Sequence, residues 1–308
     1  MSELVPTTRR KWQALWQNPV TMKELRSRMR GRRAFVVLTA YLAFMSLFLA
    51  LIYLAFLTTA SGPASGNSRD AGKIMFTAVL GMQVFLVIFI APAFTAGAIS
   101  GEKERQTYDL LRTTLLSADS FVLGKLVSAL SYVVLLILAS IPLQSISFLL
   151  GGLSLEELLI SQALVLMAAV TFALFGLYCS SRMKTTLGAI IAAYGGALFV
   201  TIGTPLIALL LTLITGAAFL TSGNFSWLAE AVMTYVGLVL SATNLPATLI
   251  LSETILQQEN TLLFYQMSIR GNQIWMFSPW PLFLIFYALI AWILYVVCVR
   301  RVRQIAEN

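Results

Sequence analysis

Six apolar runs, each long enough to cross a hydrocarbon core of roughly 30 Å as a helix, constrain this chain more than any other feature. They lie at Ala34 to Thr58, Ile74 to Ile99, Phe121 to Leu150, Leu158 to Ser180, Leu187 to Thr215 and Pro281 to Val299. In lipid a backbone must satisfy its own polar groups, so runs of this length read as helices. Charged residues make up 11% of the chain, against about a quarter in a soluble domain, so lipid is the solvent for most of it. Turn chemistry separates the runs, as in Ser61-Gly62-Pro63-Ala64-Ser65-Gly66-Asn67, Gly151-Gly152 and Arg182-Met183-Lys184. The fold class expected is an all-α integral membrane protein with six transmembrane helices.

Positive charge is retained on the cytoplasmic side during insertion, so Lys and Arg set the orientation. With the N-terminus inside, the inner segments hold nine basic residues before Ala34, four from Lys103 to Lys125, Arg182 and Lys184, and Arg300, Arg301 and Arg303. Of the 21 basic residues, only Arg69, Lys73 and Arg270 fall outside. The chain then divides into a cytoplasmic segment 1–33, a transmembrane domain 34–300 and a cytoplasmic tail 301–308, a multi-pass protein of the cell membrane with both termini cytoplasmic. Leu228 to Leu251 is apolar enough for a seventh span but contains Glu230, Asn244 and Pro246. A seventh span would also move Arg300 to Arg303 outside. The stretch 221–277 is therefore expected to be external, partly helical and dipping into the outer leaflet where other helices cover its backbone.

Several function classes fall away. The net charge of +8 sits in short blocks between apolar runs, not on one face of a folded domain, which argues against nucleic acid. There is no His, and Cys179 and Cys298 lie at the ends of apolar segments, so neither a zinc site nor a disulfide framework is expected. No Asp, Glu, Lys or Arg lies in the middle of a span, which disfavours an ion-coupled carrier. An intramembrane enzyme lacks its nucleophile and base. Gln83 and Gln144 are expected to bond to neighbouring helices, and Gly188, Ala192 and Gly196 form a small-xxx-small ridge for close helix packing, within one protomer or across a dimer. Pro142 and Pro205 should kink spans three and five, as local curvature or as a hinge. No apolar run of signal-peptide type precedes the first span, which is expected to stay as an anchor.

Before that span, Trp12, Leu15 and Trp16 fall at helical spacing. After Asn18-Pro19, a good N-cap and first-turn pair, Met22, Leu25 and Met29 continue the stripe. Lys23, Arg26 and Arg30, with Glu24 among them, give this segment the charge of a basic amphipathic helix on anionic membrane lipids. Two readings stand: a positive-inside anchor, or an interface helix that also touches a partner.

The stretch from Gly97 to Ser117, between spans two and three, is the most informative. Ser100 is placed to cap a helix whose charged face begins with Lys103 and Glu104, while Tyr108, Leu111 and Leu115 form an apolar stripe. A short amphipathic helix tied to two spans suits a groove on a cytosolic protein and would pass on the motion of whatever it docks against.

The run Glu102-Lys103-Glu104-Arg105-Gln106-Thr107-Tyr108-Asp109-Leu110-Leu111, then Thr113-Thr114-Leu115-Leu116-Ser117 and Gly124-Lys125-Leu126, resembles the EKERGT-type element, TxLS turn and third-span entry of the permease subunits of ABC-2 type transporters. Asn18-Pro19-Val20, Lys23-Glu24-Leu25-Arg26 and Arg300-Arg301-Val302-Arg303 are similar to that family's ends. One departure is Gln106, where the family commonly has Gly, and a less kinked loop is expected there. The resemblance implies a half-transporter: two six-helix protomers, each resting on a cytosolic ABC ATPase subunit, with export as the direction. It implies a coupling helix carrying Glu102, Lys103, Glu104, Arg105, Tyr108, Leu111, Arg112 and Leu115. It also implies an interface helix carrying Trp12, Trp16, Lys23, Glu24, Arg26 and Arg30, and a substrate path lined by spans two and five.

ATP chemistry is not expected on this chain. A P-loop reads G-x-x-x-x-G-K-[ST], with the hydroxyl on magnesium, whereas Gly72-Lys73 and Gly124-Lys125 are followed by Ile74 and Leu126. No cofactor is expected here, and ATP and Mg fall to the partner ATPase. The alternative reading is a membrane anchor or assembly protein that docks a cytosolic partner and transports nothing.

Overall fold

A computed structural model describes residues 32–60, 68–106, 118–222, 227–259, 261–269 and 271–307. The expected interface helix with Trp12, Trp16, Lys23, Glu24, Arg26 and Arg30 lies outside the described residues, as do Tyr108, Leu111, Arg112 and Leu115. The elements in order are α1 (Arg32–Ala60), α2 (Ser68–Ala96), α3 (Ser100–Glu104), α4 (Ala118–Leu149), α5 (Leu155–Arg182), α6 (Thr186–Leu198), a π-helical turn (Phe199–Gly203), α7 (Thr204–Ser222), α8 (Trp227–Ser241), α9 (Leu245–Glu259), β1 (Phe264–Ile269), β2 (Asn272–Phe277) and α10 (Pro279–Glu307). Six helices are long and apolar enough to cross a membrane, with α6, the π turn and α7 forming the fifth. The chain is thus an all-α multi-pass membrane protein, with one short β-ribbon that its sequence did not announce.

The core lies among α2, α4, α5 and α10, where Phe76, Leu80, Val84, Phe172, Phe283 and Tyr287 are buried together. Small residues let α2 and α5 approach. Ala168, Ala169 and Ala173 are fully buried on α5, and a Cβ on Gly176 would stand 2.3 Å from Thr95 Oγ1 and 3.1 Å from the Pro92 backbone. A capping box starts α5: Glu157 N donates to Ser154 Oγ (3.2 Å), and Ser154 N donates to Glu157 Oε2 (2.9 Å). The preceding turn runs so close to α2 that a Cβ on Gly152 would meet Lys73 N at 2.5 Å.

Gln83 and Gln144 do bond across helices, and they do so with a third residue. Gln83 Nε2 donates to Gln162 Oε1 (3.1 Å), Gln162 Nε2 to Gln144 Oε1 (2.9 Å) and Gln144 Nε2 to Gln83 Oε1 (2.9 Å). The ring closes on itself and joins α2, α4 and α5, satisfying amides that would be costly alone in an apolar interior.

Leu228 to Leu251 does not cross as one helix. It is divided between α8 and α9, each 15 residues or roughly 22 Å long. Asn244 and Pro246, the residues that looked wrong for a span, begin the second helix: Ala247 N donates to Asn244 Oδ1 (3.1 Å), an N-cap with proline in the first turn. The Asn244 amide also serves span five. Pro205 has no N–H for the carbonyl four residues back, that of Thr201, and Asn244 Nδ2 donates to Thr201 O (2.9 Å), Val200 O (3.1 Å) and Thr204 Oγ1 (3.1 Å). Proline, widened turn and asparagine form one unit in which the freed backbone oxygens find a donor. Tyr287 OH of α10 donates to Thr243 O (3.0 Å). The tip of the α8–α9 hairpin therefore packs about halfway along span five.

After α9, β1 and β2 pair antiparallel from Phe264 opposite Phe277 to Ile269 opposite Asn272. Gly271 supplies the left-handed conformation at the turn, φ +86°. Ser278 N donates to Leu263 O and Trp280 Nε1 to Leu262 O, both at 2.8 Å, anchoring the ribbon to the start of α10.

Candidate functional site at the end of the second span

Where α2 ends, the chain turns through 97–99 into the five-residue α3. Ser100 does not cap it. The N-cap position is Ile99, without a side-chain cap, and the Ser100 hydroxyl donates back to Ala96 O (3.1 Å). The donors at the turn are met instead by α5: Ile99 N and Ser100 N both donate to Ser180 Oγ at 2.9 Å. Ser180, invisible as a site residue in the sequence, is fully buried and holds the turn to the end of span four.

Glu102, Lys103 and Glu104 each reach a different span. Glu102 Oε1 accepts from Lys125 Nζ of α4 at 2.6 Å, a pair with side chains only 23% and 9% exposed. Lys103 Nζ donates to Ser181 O at the end of α5 (2.7 Å). Glu104 accepts twice from Thr186, from its N–H at Oε1 (2.9 Å) and its hydroxyl at Oε2 (2.5 Å). Thr186 opens α6, so the carboxylate sits on a helix N-terminus and complements its dipole. Thr185, the residue before, caps the same helix by accepting from Gly188 N (3.3 Å). Thr186 also presses on the junction, 3.2 Å from where a Cβ on Gly97 would lie.

Arg105 and Gln106 face outward. Gln106 takes φ +55°, the left-handed region that glycine enters freely. At Gln106 itself the backbone therefore bends despite the substitution, while residues 107–117 lie outside the described residues. Nearby, Asp119 at the start of α4 lies 3.9 Å from Arg303 of α10. The ends of α2, α4, α5, α6 and α10 are thus drawn together around Glu102, Lys103 and Glu104.

The proposed packing ridge lies beside the stripe that is most deeply buried on α6, which is Ala189, Ala193 and Ala197. Gly188 and Ala192 are half-buried. Gly196 packs within the same chain: a Cβ there would meet the Phe175 ring of α5 at 2.4 Å. Tyr194 adds a tie to α2, its hydroxyl donating to Phe89 O (3.0 Å). Among the described residues no cluster of three or more His, Cys, Asp or Glu is arranged to hold a metal ion.

This geometry joins a charged loop between spans two and three to spans three, four and five, in a chain with six apolar helices. Residues 19–302 match the family described as ABC-2 family transporter protein. The chain belongs to that family. No curated protein matches it. As an ABC-2 member the chain is the membrane-spanning permease part of a transporter and not its ATPase. Lys125, Ser180 and Thr186 are the residues of this junction that sequence reasoning did not single out. Lys125 carried a signal, standing in the Gly124-Lys125-Leu126 element, and Thr186 follows a helix-capping threonine.

Proposed function

We propose that this ABC-2 permease is one of two protomers, identical or homologous, that rest on cytosolic ABC ATPase subunits holding ATP and Mg. In this reading it exports its substrate by alternating access, in the cell membrane with both termini cytoplasmic. Glu102 to Leu115, with Lys103, Glu104, Arg105, Tyr108, Leu111 and Arg112, forms the coupling element, and the segment with Trp12, Trp16, Lys23, Glu24, Arg26 and Arg30 forms an interface helix against membrane lipids.

The observation that carries this reading is the threefold attachment of Glu102, Lys103 and Glu104 to α4, α5 and α6. A push on the loop is passed through short polar contacts to three spans at once, and through Thr186 to the start of span five. Arg105 and Gln106 remain outward for a partner. The chain itself moves no proton and makes no bond; its work is mechanical.

The test is ATP turnover of the assembled complex in lipid nanodiscs. Glu104→Ala combined with Arg105→Ala should lower substrate-stimulated hydrolysis about 2- to 30-fold, the span corresponding to 0.5–2 kcal/mol of coupling. Unchanged turnover in a folded complex would sink the coupling assignment. A chain that only anchors its partner would show no substrate-dependent rise at all.

A further inference from the structure

Between α5, α10 and the middle of span five lies a cavity of about 340 Å³, within the size range of small-molecule sites. Phe175 of α5, Phe286, Ile290 and Leu294 of α10, and Val200 and Thr204 of span five form much of its wall, and among the described residues no charged side chain lines it. The wall hydroxyls have their protons engaged inside the chain. Thr171 Oγ1 donates to Met167 O (2.9 Å), Thr204 Oγ1 to Val200 O (2.7 Å), Thr243 Oγ1 to Leu240 O (2.7 Å) and Tyr287 OH to Thr243 O (3.0 Å). Buried water needs about three polar partners, and this wall has no proton left to give one. Phe286 at the edge is 40% exposed, so the cavity opens toward lipid and suits hydrocarbon.

The cavity follows α10 from Phe286 to Leu294, roughly 12 Å. Beyond its inner end, both wall helices carry an arginine. Arg182 follows Phe175 by seven residues and Arg301 follows Leu294 by seven, the spacing that returns a side chain to the same helix face roughly 10 Å further along the axis. The two helices run the same way, for Thr171 meets Tyr287 and, further along, Leu177 packs with Cys298 and Val299. Both arginines therefore stand at one end of the bundle. The ion pairs among the described residues are Lys125 with Glu102 and Arg303 with Asp119, so no carboxylate there neutralises Arg182 or Arg301. Lys184 and Arg300 beside them are exposed. Positive charge is thus in excess just past an apolar slot.

We propose that this cavity holds one acyl chain of an anionic phospholipid whose phosphate sits on Arg182 and Arg301. The slot and its basic end match the two parts of such a molecule, in the leaflet on the arginine side. Arginine's planar fork suits phosphate, and its long stem can lie along apolar surface while the charge reaches headgroup depth. A chain seated here would pack against Val200 and Thr204 and supply the contacts that the walls of an empty cavity lack. It would brace the widened turn of span five from the side opposite the Asn244 amide's own task of satisfying its backbone.

The test uses the purified full chain in phosphatidylcholine nanodiscs doped with a phosphatidylglycerol probe that carries a diazirine on one acyl chain, with crosslinks mapped by mass spectrometry. Labelling of Val200 and Ile290 should saturate at one probe per chain, while labelling of the exposed Ile285 and Trp292 should rise in proportion to the probe fraction. Arg182→Gln and Arg301→Gln should each raise the fraction needed for half-saturation about 5-fold, the effect of one basic residue near an anionic surface. A phosphatidylcholine probe with the same chain should need at least as large an increase. Val200→Trp should fill the slot and remove the saturable labelling; should that variant fail to fold, the arginine variants at the helix ends still decide. Labelling of the wall that never saturates, the result for annular lipid only, overturns the proposal, as does no labelling of the wall. Equal half-saturation for the two headgroups, or no change in the arginine variants, also overturns it and would mark a pocket for an apolar solute. None of these readouts depends on ATP hydrolysis, so they stand apart from the transport reading.

Discussion

Spans two and four and span five are equally apolar, yet they are used in opposite ways. Half of the residues in the central windows of α2 and α5 are buried within the chain, against 6% for span five. The first two carry the alanine and glycine contacts, the glutamine ring and the staple at Lys103. Span five touches the bundle with α6 and then, beyond its π turn, presents Leu206, Leu209, Leu210, Leu213 and Ile214 outward. Hydropathy alone cannot separate these roles, because lipid and protein are equally good surroundings for leucine. Small residues and polar ties separate them.

The sharpest way to break this contrast is in the core half. Gln83→Leu should strand the Gln144 donor and the Gln162 acceptor, costing about 1–3 kcal/mol in reversible unfolding. Replacing Gln83, Gln144 and Gln162 together by leucine should recover most of that loss, because no amide is then left unpaired. A triple variant less stable than the single one would mean that the ring contributes far more than satisfaction of its own members.

Next in size is the tie between the hairpin tip and span five. Asn244→Ala should cost about 1 kcal/mol as a lost cap and should raise hydrogen exchange at 199–204 while leaving α2 and α5 protected. Uniform loss of protection would show that the tip belongs to the same cooperative unit as the core. The smallest effect is expected on the outward face: Leu213→Ala should shift the stability of an isolated protomer within about 0.5 kcal/mol. If it also weakens protomer pairing, measured by cross-linking in the membrane, that face is the one a second protomer covers.

Much of this fold was legible because the bilayer imposes its own arithmetic. Six runs of sufficient length gave six crossing helices with boundaries close to those expected. Asn244 and Pro246 flagged the broken segment, since cap chemistry is local and readable. What stayed hidden was pairing at a distance. Gln162, near the start of the fourth run, was not singled out by sequence, and only the fold places it beside Gln83 and Gln144. Glu102, Lys103 and Glu104 were visible as a charged group, but their partners were not: Lys125 and Ser181 draw Glu102 and Lys103 partly inward, while Glu104 stays exposed and reaches sideways to Thr186. The β-ribbon was missed because Phe264 to Phe277 is short, aromatic and without strict alternation. Gln106 shows the limit of motif reading, for the left-handed turn persists without glycine.

The widened turn at Phe199–Gly203 also has a meaning for how such a chain can change. A π turn accommodates one residue more than the α-helix around it, and one residue is worth about 100° of rotation. The row Ala189, Ala193, Ala197 that faces the bundle therefore does not continue into α7, where Pro205 and Leu209 stand exposed. A single insertion or deletion at that turn would re-aim the whole far half of span five while leaving the near half and its staple untouched. The surface offered to neighbours can in this way be reset by one codon, independently of the machinery that drives it.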